Sequence, residues 1–337
     1  MYGRRSAVDD AGGGVAPARD LGPGRIIEAP RYKQRETVGR NRRTKGTKKR
    51  AARPTSPITT GRSPRVWAVA VLAVVVFGGV WALRSTPTSQ ASLASAASAA
   101  AAPESQPVVR SLRVDVLREL SHERDAYIQG LVWWNDQLFE STGRYGESTL
   151  RRLDPQTGRV EQRIEVPDQY FGEGLALVDG RLLMLTWTTE RAFTYDRDSF
   201  EPGETFQYQG EGWGLCYDGD RLVMSDGSDR LTFRDPDTFE PIGEQRVRLR
   251  GQPLRNLNEL ECVDGAVYAN VWEEDFLVRI DPETGRVTDY IDAGGLLQGE
   301  DLIGSEVLNG IAYDPTAETF FITGKWWPKM FEVRFVE

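Results

Sequence analysis

The sequence predicts an all-β chain folded as a five-bladed β-propeller of four-stranded antiparallel blades, and three observations carry that expectation. From Arg110 onward one pattern recurs five times: a small or polar residue, an apolar pair, a turn and a second apolar run. An Asp-initiated turn between alternating strands follows in four of the five repeats. The fifth repeat stops one strand short, while an unpartnered strand precedes the first. Self-similarity at this period, with four short strands per unit, is the mark of a propeller blade.

The 337 residues fall into compartments of opposite charge. Residues 1–65 hold 17 Lys/Arg against 5 Asp/Glu and few large apolar side chains, so they read as a disordered basic segment. Val66 to Leu83 is an uncharged stretch of 18 residues with Trp67 and Trp81 near its ends, the expected length and anchoring of a membrane helix. The Lys/Arg excess lies before it, which puts the N-terminus in the cytoplasm and the remainder in the periplasm or outside the cell. The alternative is a cleaved signal peptide, since Ala-x-Ala sites recur within Ala91 to Ala102. Residues 84–109, rich in Ala, Ser and Pro, read as a flexible linker. Residues 110–337 form the expected propeller and carry most of the acidic charge, since 85–337 hold 24 Lys/Arg against 45 Asp/Glu. That balance excludes nucleic acid as a partner of the folded part. One His and two Cys exclude multi-histidine zinc sites and disulfide-dense scaffolds.

Ser111 to Arg118 is the strand that lacks a partner. The five repeats start at Gly130, Gly174, Gly214, Glu259 and Gly310, with offsets of 44, 40, 45 and 51 residues. The second hairpins are Asp154-Pro-Gln-Thr-Gly-Arg-Val, Asp196-Arg-Asp-Ser-Phe-Glu-Pro, Asp235-Pro-Asp-Thr-Phe-Glu-Pro and Asp281-Pro-Glu-Thr-Gly-Arg-Val. The chain ends on Lys329 to Glu337, and pairing this end with the N-terminal strand would close the ring and remove an exposed sheet edge.

Equivalent repeat positions become neighbours around a propeller axis. The residues just before the repeat starts are Gln129, Glu173, Trp213, Asn258 and Asn309, none of them aliphatic, and they are expected to line one mouth of the central channel. The competing expectation, weighed evenly for Asn309, is that they bond to backbone near turns. A second set lies about 14 residues later: Gly143, Trp187, Gly227, Trp272, and Lys325 with Trp326 and Trp327. Glycine there leaves room and Trp or Lys fills it. Trp133 or Trp134 is expected to fill a blade, and Lys325 beside two tryptophans also fits a surface cation–π contact. Arg144, Tyr145, Asp226 and Asp301 read as structural. Cys216 and Cys262 sit in adjacent repeats at opposite side-chain parity, which favours two buried thiols over a bond. Gly210-Glu-Gly-Trp-Gly214 lacks the spacing of a phosphate loop, and His122 has no partnered nucleophile motif.

The stretches Ile128-Gln-Gly-Leu-Val, Phe139-Glu-Ser-Thr-Gly-Arg-Tyr-Gly, Tyr170-Phe-Gly-Glu-Gly-Leu, Leu185-Thr-Trp, Gly212-Trp-Gly-Leu, Ser225-Asp-Gly-Ser, Asn256-Leu-Asn-Glu-Leu-Glu, Ala269-Asn-Val-Trp and Thr323-Gly-Lys-Trp-Trp-Pro-Lys resemble the plant-type glutaminyl cyclases, or glutaminyl-peptide cyclotransferases, across nearly all of 110–337. The family's five-bladed fold is thereby implied. The resemblance implies an acid/base role for Glu173, amide contact for Asn258, the family's lysine at Lys325, and pocket tryptophans at Trp187, Trp213 and Trp272. Gln129 matches a further channel residue. Ile128 departs from the Thr or Ser common in the family, and the basic segment and membrane stretch have no counterpart. The implied substrates are peptides or proteins with N-terminal Gln, converted to pyroglutamate with release of ammonia by a monomer that requires no cofactor. A structural divalent ion in the channel stays compatible. Two other readings remain at this level: a calcium-dependent lactonase-type hydrolase using Glu173, Asn258 and Asn309 as oxygen ligands, and a non-catalytic binding module.

Overall fold

Short alternating strands separated by Asp/Gly turns can bury one face only by stacking, and the structure shows that stacking. It is a computed structural model that describes residues 108–337. The basic segment, the predicted membrane helix and nearly all of the linker therefore lie outside the described residues. Among the described residues no helix is long and apolar enough to cross a membrane.

The chain enters through β1 (Arg110–Ser121) and then builds four-stranded antiparallel sheets in sequence order. The first holds β2 (Ile128–Trp134), β3 (Gln137–Thr142), β4 (Thr149–Leu153) and β5 (Val160–Glu165). The second holds β6 (Gly172–Val178), β7 (Arg181–Thr186), β8 (Arg191–Asp196) and β9 (Pro202–Gln207). The third holds β10 (Leu215–Tyr217), β11 (Leu222–Ser225), β12 (Arg230–Arg234) and β13 (Pro241–Arg246), followed by the short ribbon β14 (Arg248–Leu249) and β15 (Gln252–Pro253). The fourth set is β16 (Leu257–Val263), β17 (Ala266–Val271), β18 (Phe276–Asp281) and β19 (Arg286–Asp292). The last is β20 (Leu308–Asp314), β21 (Thr319–Gly324) and β22 (Lys329–Val336), completed by β1. β1 runs antiparallel to β22 from Arg113↔Val336 to Ser121↔Lys329, the pairing of chain ends that the sequence predicts. Its first residues also pair in parallel with β19, from Arg110↔Asp289 to Arg113↔Asp292, which joins the last two sets into one sheet.

Each large apolar cluster lies between consecutive sheets. Phe139 and Leu150 meet Leu175 and Met184 between the first and second, and Leu183 and Leu185 meet Leu215 and Met224 between the second and third. Val223 and Leu231 meet Val267 and Val278, Leu277 meets Phe320, and Phe321 and Met330 of the last set meet Ile128 and Leu138 of the first. The fold is thus all-β and propeller-like, with a nearly closed sheet arrangement.

The turn chemistry explains the hairpins. In the Asp-initiated turns, the Asp154 and Asp281 carboxylates accept from the N–H groups two residues on, and the fifth position has positive φ. Two repeats use Gly158 and Gly285 there, where a Cβ would strike the Ser121 and Arg246 carbonyls. The other two use Phe200 and Phe239, both at φ 61°, whose full burial offsets a backbone conformation that costs roughly 1–2 kcal/mol.

Cys216 and Cys262 form a disulfide with Cα atoms 5.5 Å apart, which corrects the expectation of two thiols. Side-chain parity decides neighbours within one sheet. These residues belong to two sheets packed face to face, so the side chains that meet come from opposite faces, and opposite parity is the arrangement that brings Cys216 on β10 to Cys262 on β16.

Candidate active site

The first strands of the sheets approach one another around a centre, and this sets their composition. A Cβ at Gly130 would strike the backbone of Leu175, at Gly174 that of Leu215, and at Gly214 that of Asn258. Only the fourth repeat carries a side chain at this position, Glu259, fully buried with Oε1 accepting from Leu131 N at 3.1 Å and Oε2 from Ile311 N at 2.7 Å. One carboxyl group therefore fills the space that four glycines leave and ties β16 to β2 and β20.

Immediately before these positions the strand pairing is irregular. Register shifts fall between Ile128 and Gly130, Gly172 and Leu175, Leu257 and Leu260, and Leu308 and Ile311. These bulges hold Gln129, Glu173, Asn258 and Asn309, and a bulge is a standard device for re-aiming a side chain next to a functional site. All four are buried.

Glu173 is 4% exposed, and burial pushes its carboxyl well above the usual glutamate range. The ammonium of Lys325 opposes that shift, the charge of Glu211 adds to it, and a hydrogen bond from Gln129 opposes it. Lys325, also 4% exposed, follows the last residue of β21 and is pushed down to about 8 by burial, with Glu173 and Glu306 acting against the shift. Its Nζ lies 4.8 Å from the centre of the Tyr127 ring. Asn309 donates from Nδ2 to the Ile128 carbonyl at 3.1 Å and to Gln129 Oε1 at 3.4 Å, so it orients Gln129. Asn258 has its carbonyl fixed by Ser225 Oγ at 2.6 Å.

Three half-buried tryptophans lie at strand ends, Trp187 after β7, Trp213 before β10 and Trp272 after β17. Trp213 and Trp272 meet edge to face with ring centres 5.8 Å apart, and Trp187 packs against Phe171 at 5.6 Å. The aromatic rim continues from Phe171 to Tyr127 and on to Trp326, whose ring centre is 4.9 Å from that of Tyr127. The two glycines read as leaving room are the ones whose space is taken: a Cβ at Gly143 would enter Phe171, and one at Gly227 would enter Trp213.

Glu211 was not singled out by the repeat alignment. Its Oε2 accepts from Trp187 Nε1 at 2.7 Å and from Trp213 Nε1 at 3.0 Å. Its only sequence signal is its place inside the Gly210 to Gly214 stretch. Tyr127 and Phe171 were missed for a related reason, since aromatic packing across sheets leaves no periodic trace. Trp133 stacks on Phe321 as a core residue, whereas Trp134 is 42% exposed. His122 is structural, with Nε2 2.7 Å from Glu140 Oε2 and Nδ1 2.9 Å from the Trp327 carbonyl. Asp226 is occupied by Ser228 and Arg230, and Asp301 by Lys329. Arg144 lies over Trp326 at the rim, beside the half-exposed Tyr145.

A family model described as Glutamine cyclotransferase matches residues 89–335. The chain belongs to the glutamine cyclotransferase family. A glutaminyl-peptide cyclotransferase of Arabidopsis thaliana is 41% identical over 226 residues, which span 66% of this chain and 71% of that protein. The solved structure of Myxococcus xanthus glutaminyl cyclase is similar at 40% identity and a TM-score of 0.62, covering 68% of this chain and 99% of that one. The family match takes in every pocket residue described above. Among the described residues, no three His, Cys, Asp or Glu side chains gather as a metal-binding group.

Proposed function

We propose that this chain is a glutaminyl-peptide cyclotransferase in which Glu173 moves the proton that cyclisation requires. One observation carries the reading: a buried carboxyl whose affinity for a proton is raised, coupled to a buried lysine and to Glu211, whose carboxylate holds Trp187 and Trp213. A carboxyl tuned in this way serves as base and then as acid near neutral pH.

The α-amine of an N-terminal glutamine attacks the carbon of its own side-chain amide, forming the ring C–N bond while the C=O electrons move to oxygen. Glu173 takes a proton from the attacking nitrogen. It returns that proton to the amide nitrogen, the C–N bond to that nitrogen breaks, and ammonia leaves as the carbonyl re-forms in a five-membered lactam. Lys325, Asn258 and Gln129 supply the donors for the developing oxyanion. Trp187, Trp213 and Trp272 fold the flexible side chain toward the amine and exclude water, which favours ring closure over hydrolysis.

The fold that presents this site is a five-bladed propeller of the plant type, supported by the consecutive sheet-to-sheet clusters and the β1–β22 pairing. The proposed reaction requires no metal or redox cofactor. The Lys325 ammonium facing Glu173 disfavours a divalent cation at that carboxyl, and the family match does not favour the calcium-dependent hydrolase or the pure binding module. The enzyme acts as a monomer held by a single span at 66–83, with the catalytic domain outside the cytoplasm. The charge asymmetry around that stretch supports the orientation, and the Cys216–Cys262 bond suits an oxidising compartment. Ammonia release from a Gln-initiated peptide, lost in Glu173→Gln, tests the reading; an unimpaired Glu173→Gln enzyme overturns the assignment.

A further inference from the structure

Glu211 sits between Trp187 and Trp213 in a loop pinned at three backbone positions. Gly210 N donates to Glu190 Oε1 at 2.9 Å, Gly212 N to the Trp187 carbonyl at 3.0 Å, and Trp213 N to the Ser225 carbonyl at 3.1 Å. Gly212 admits no side chain, because a Cβ there would strike the Tyr208 hydroxyl. The carboxylate so held is exposed, yet one of its oxygens takes the indole N–H of both Trp187 and Trp213. Two tryptophans from neighbouring sheets are thereby fixed at a common point. Both indoles share Oε2, and Glu211 adds a negative charge within electrostatic reach of Glu173.

A group with this placement does two things for a substrate that enters amine first. It holds the two indoles in the orientation that walls the glutamine side chain, and it presents a negative charge to the incoming N-terminus. Resting on the cyclotransferase reading, we propose that Glu211 is the positioning and charge-selecting residue of the pocket, clamping Trp187 and Trp213 and recognising the α-ammonium of the substrate before it is deprotonated. Its second effect is on Glu173. The groups that face Glu173 are Lys325, Glu211, Tyr208 and the Gln129 amide, and Lys325 in turn faces Glu306. Removing the Glu211 charge leaves Lys325 less opposed, so Glu173 ionises at lower pH.

The experiment uses the full-length chain, a Gln-initiated peptide, and the same peptide whose first residue lacks the α-amine. Glu211→Gln keeps an amide oxygen able to accept from the indoles and removes the charge. The expected result is weaker binding of the amine-bearing peptide by about tenfold, the scale of one partly screened ion pair. Affinity for the des-amino peptide stays within about twofold, and the ascending limb of kcat/KM moves to lower pH. Glu211→Ala releases the clamp as well, so it weakens both ligands and alters the near-UV circular dichroism of the tryptophans. Equal weakening of both peptides by Glu211→Gln, or an unmoved ascending limb in an active enzyme, overturns the proposal. Failure of the wild type to release ammonia overturns the cyclotransferase reading instead, and the two binding measurements still decide the role of Glu211.

Discussion

Burial pulls Glu173 and Lys325 toward their neutral forms, while their attraction holds each toward its charged form. The consequence is a pH window. In the proposed reaction Glu173 must be ionised to accept a proton, so kcat/KM should rise with pH through a value well above the ordinary glutamate range. In the same proposal Lys325 must be charged to steady the oxyanion, so the rate should fall as pH passes about 8. A pH–rate profile of the wild type should be bell-shaped, and Lys325→Met should lower kcat by roughly 10²–10³ and remove the lysine's contribution to the descending limb. At this scale the ring of residues before the repeat starts was legible, because repeat register survives in a single sequence. Glu211 was not, because it stands outside the repeat and acts through indole N–H groups whose orientation no spacing reveals. Asn309 makes the backbone contact that one of its two readings expects, donating from Nδ2 to Ile128 and Gln129, while its Oδ1 is buried without a partner among the described residues.

Gln129, Glu173, Asn258 and Asn309 each sit where a bulge distorts the first strand of a sheet, and regular hairpins hold that strand in place. Glu259 is the element that fixes the first strands to one another. Replacing it with Ala strands the N–H groups of Leu131 and Ile311 without an acceptor, a loss of roughly 2–5 kcal/mol that should appear as a marked fall in Tm. A Tm within a degree of wild type would show that the centre reorganises around water. The exception at Glu259 was visible as one acidic residue among four glycines. Its meaning needed the distances, since the close approach of neighbouring strands requires glycine at Gly130, Gly174 and Gly214, while a positive φ of 98° requires it at Gly310. The disulfide carries the same lesson in reverse: parity within one sheet argued against a bond that packing between sheets requires. Cys216→Ser with Cys262→Ser should lower stability by about 2–4 kcal/mol, and addition of reductant to the wild type should reproduce that loss.

For the molecule as a whole, the repeats, the short last repeat and the unpartnered first strand foretell four-stranded antiparallel sheets built in sequence order and the β1–β22 pairing of the chain ends. Truncation after Phe331 removes the β22 residues that pair with β1 from Arg113 to Arg118, so the truncated chain should be insoluble; a soluble, fully β product by circular dichroism would contradict the role given to that pairing. Of the aromatic rim that runs from Trp326 through Tyr127 and Phe171 to Trp187 and then across Glu211 to Trp213 and Trp272, the tryptophans were legible in the sequence, whereas Tyr127 and Phe171 stayed hidden because they join the rim by packing between sheets. In the proposed reaction this rim holds an N-terminal glutamine while Glu173 moves the proton of its cyclisation. The most direct test follows ammonia and the matching mass loss from a Gln-initiated peptide, with chelator present, for wild type and Glu173→Gln. Cyclisation by the wild type that survives chelator and falls by roughly 10²–10⁴ in a folded Glu173→Gln protein is the expected result. Cyclisation undiminished in the variant, or none from a folded wild type, would contradict it.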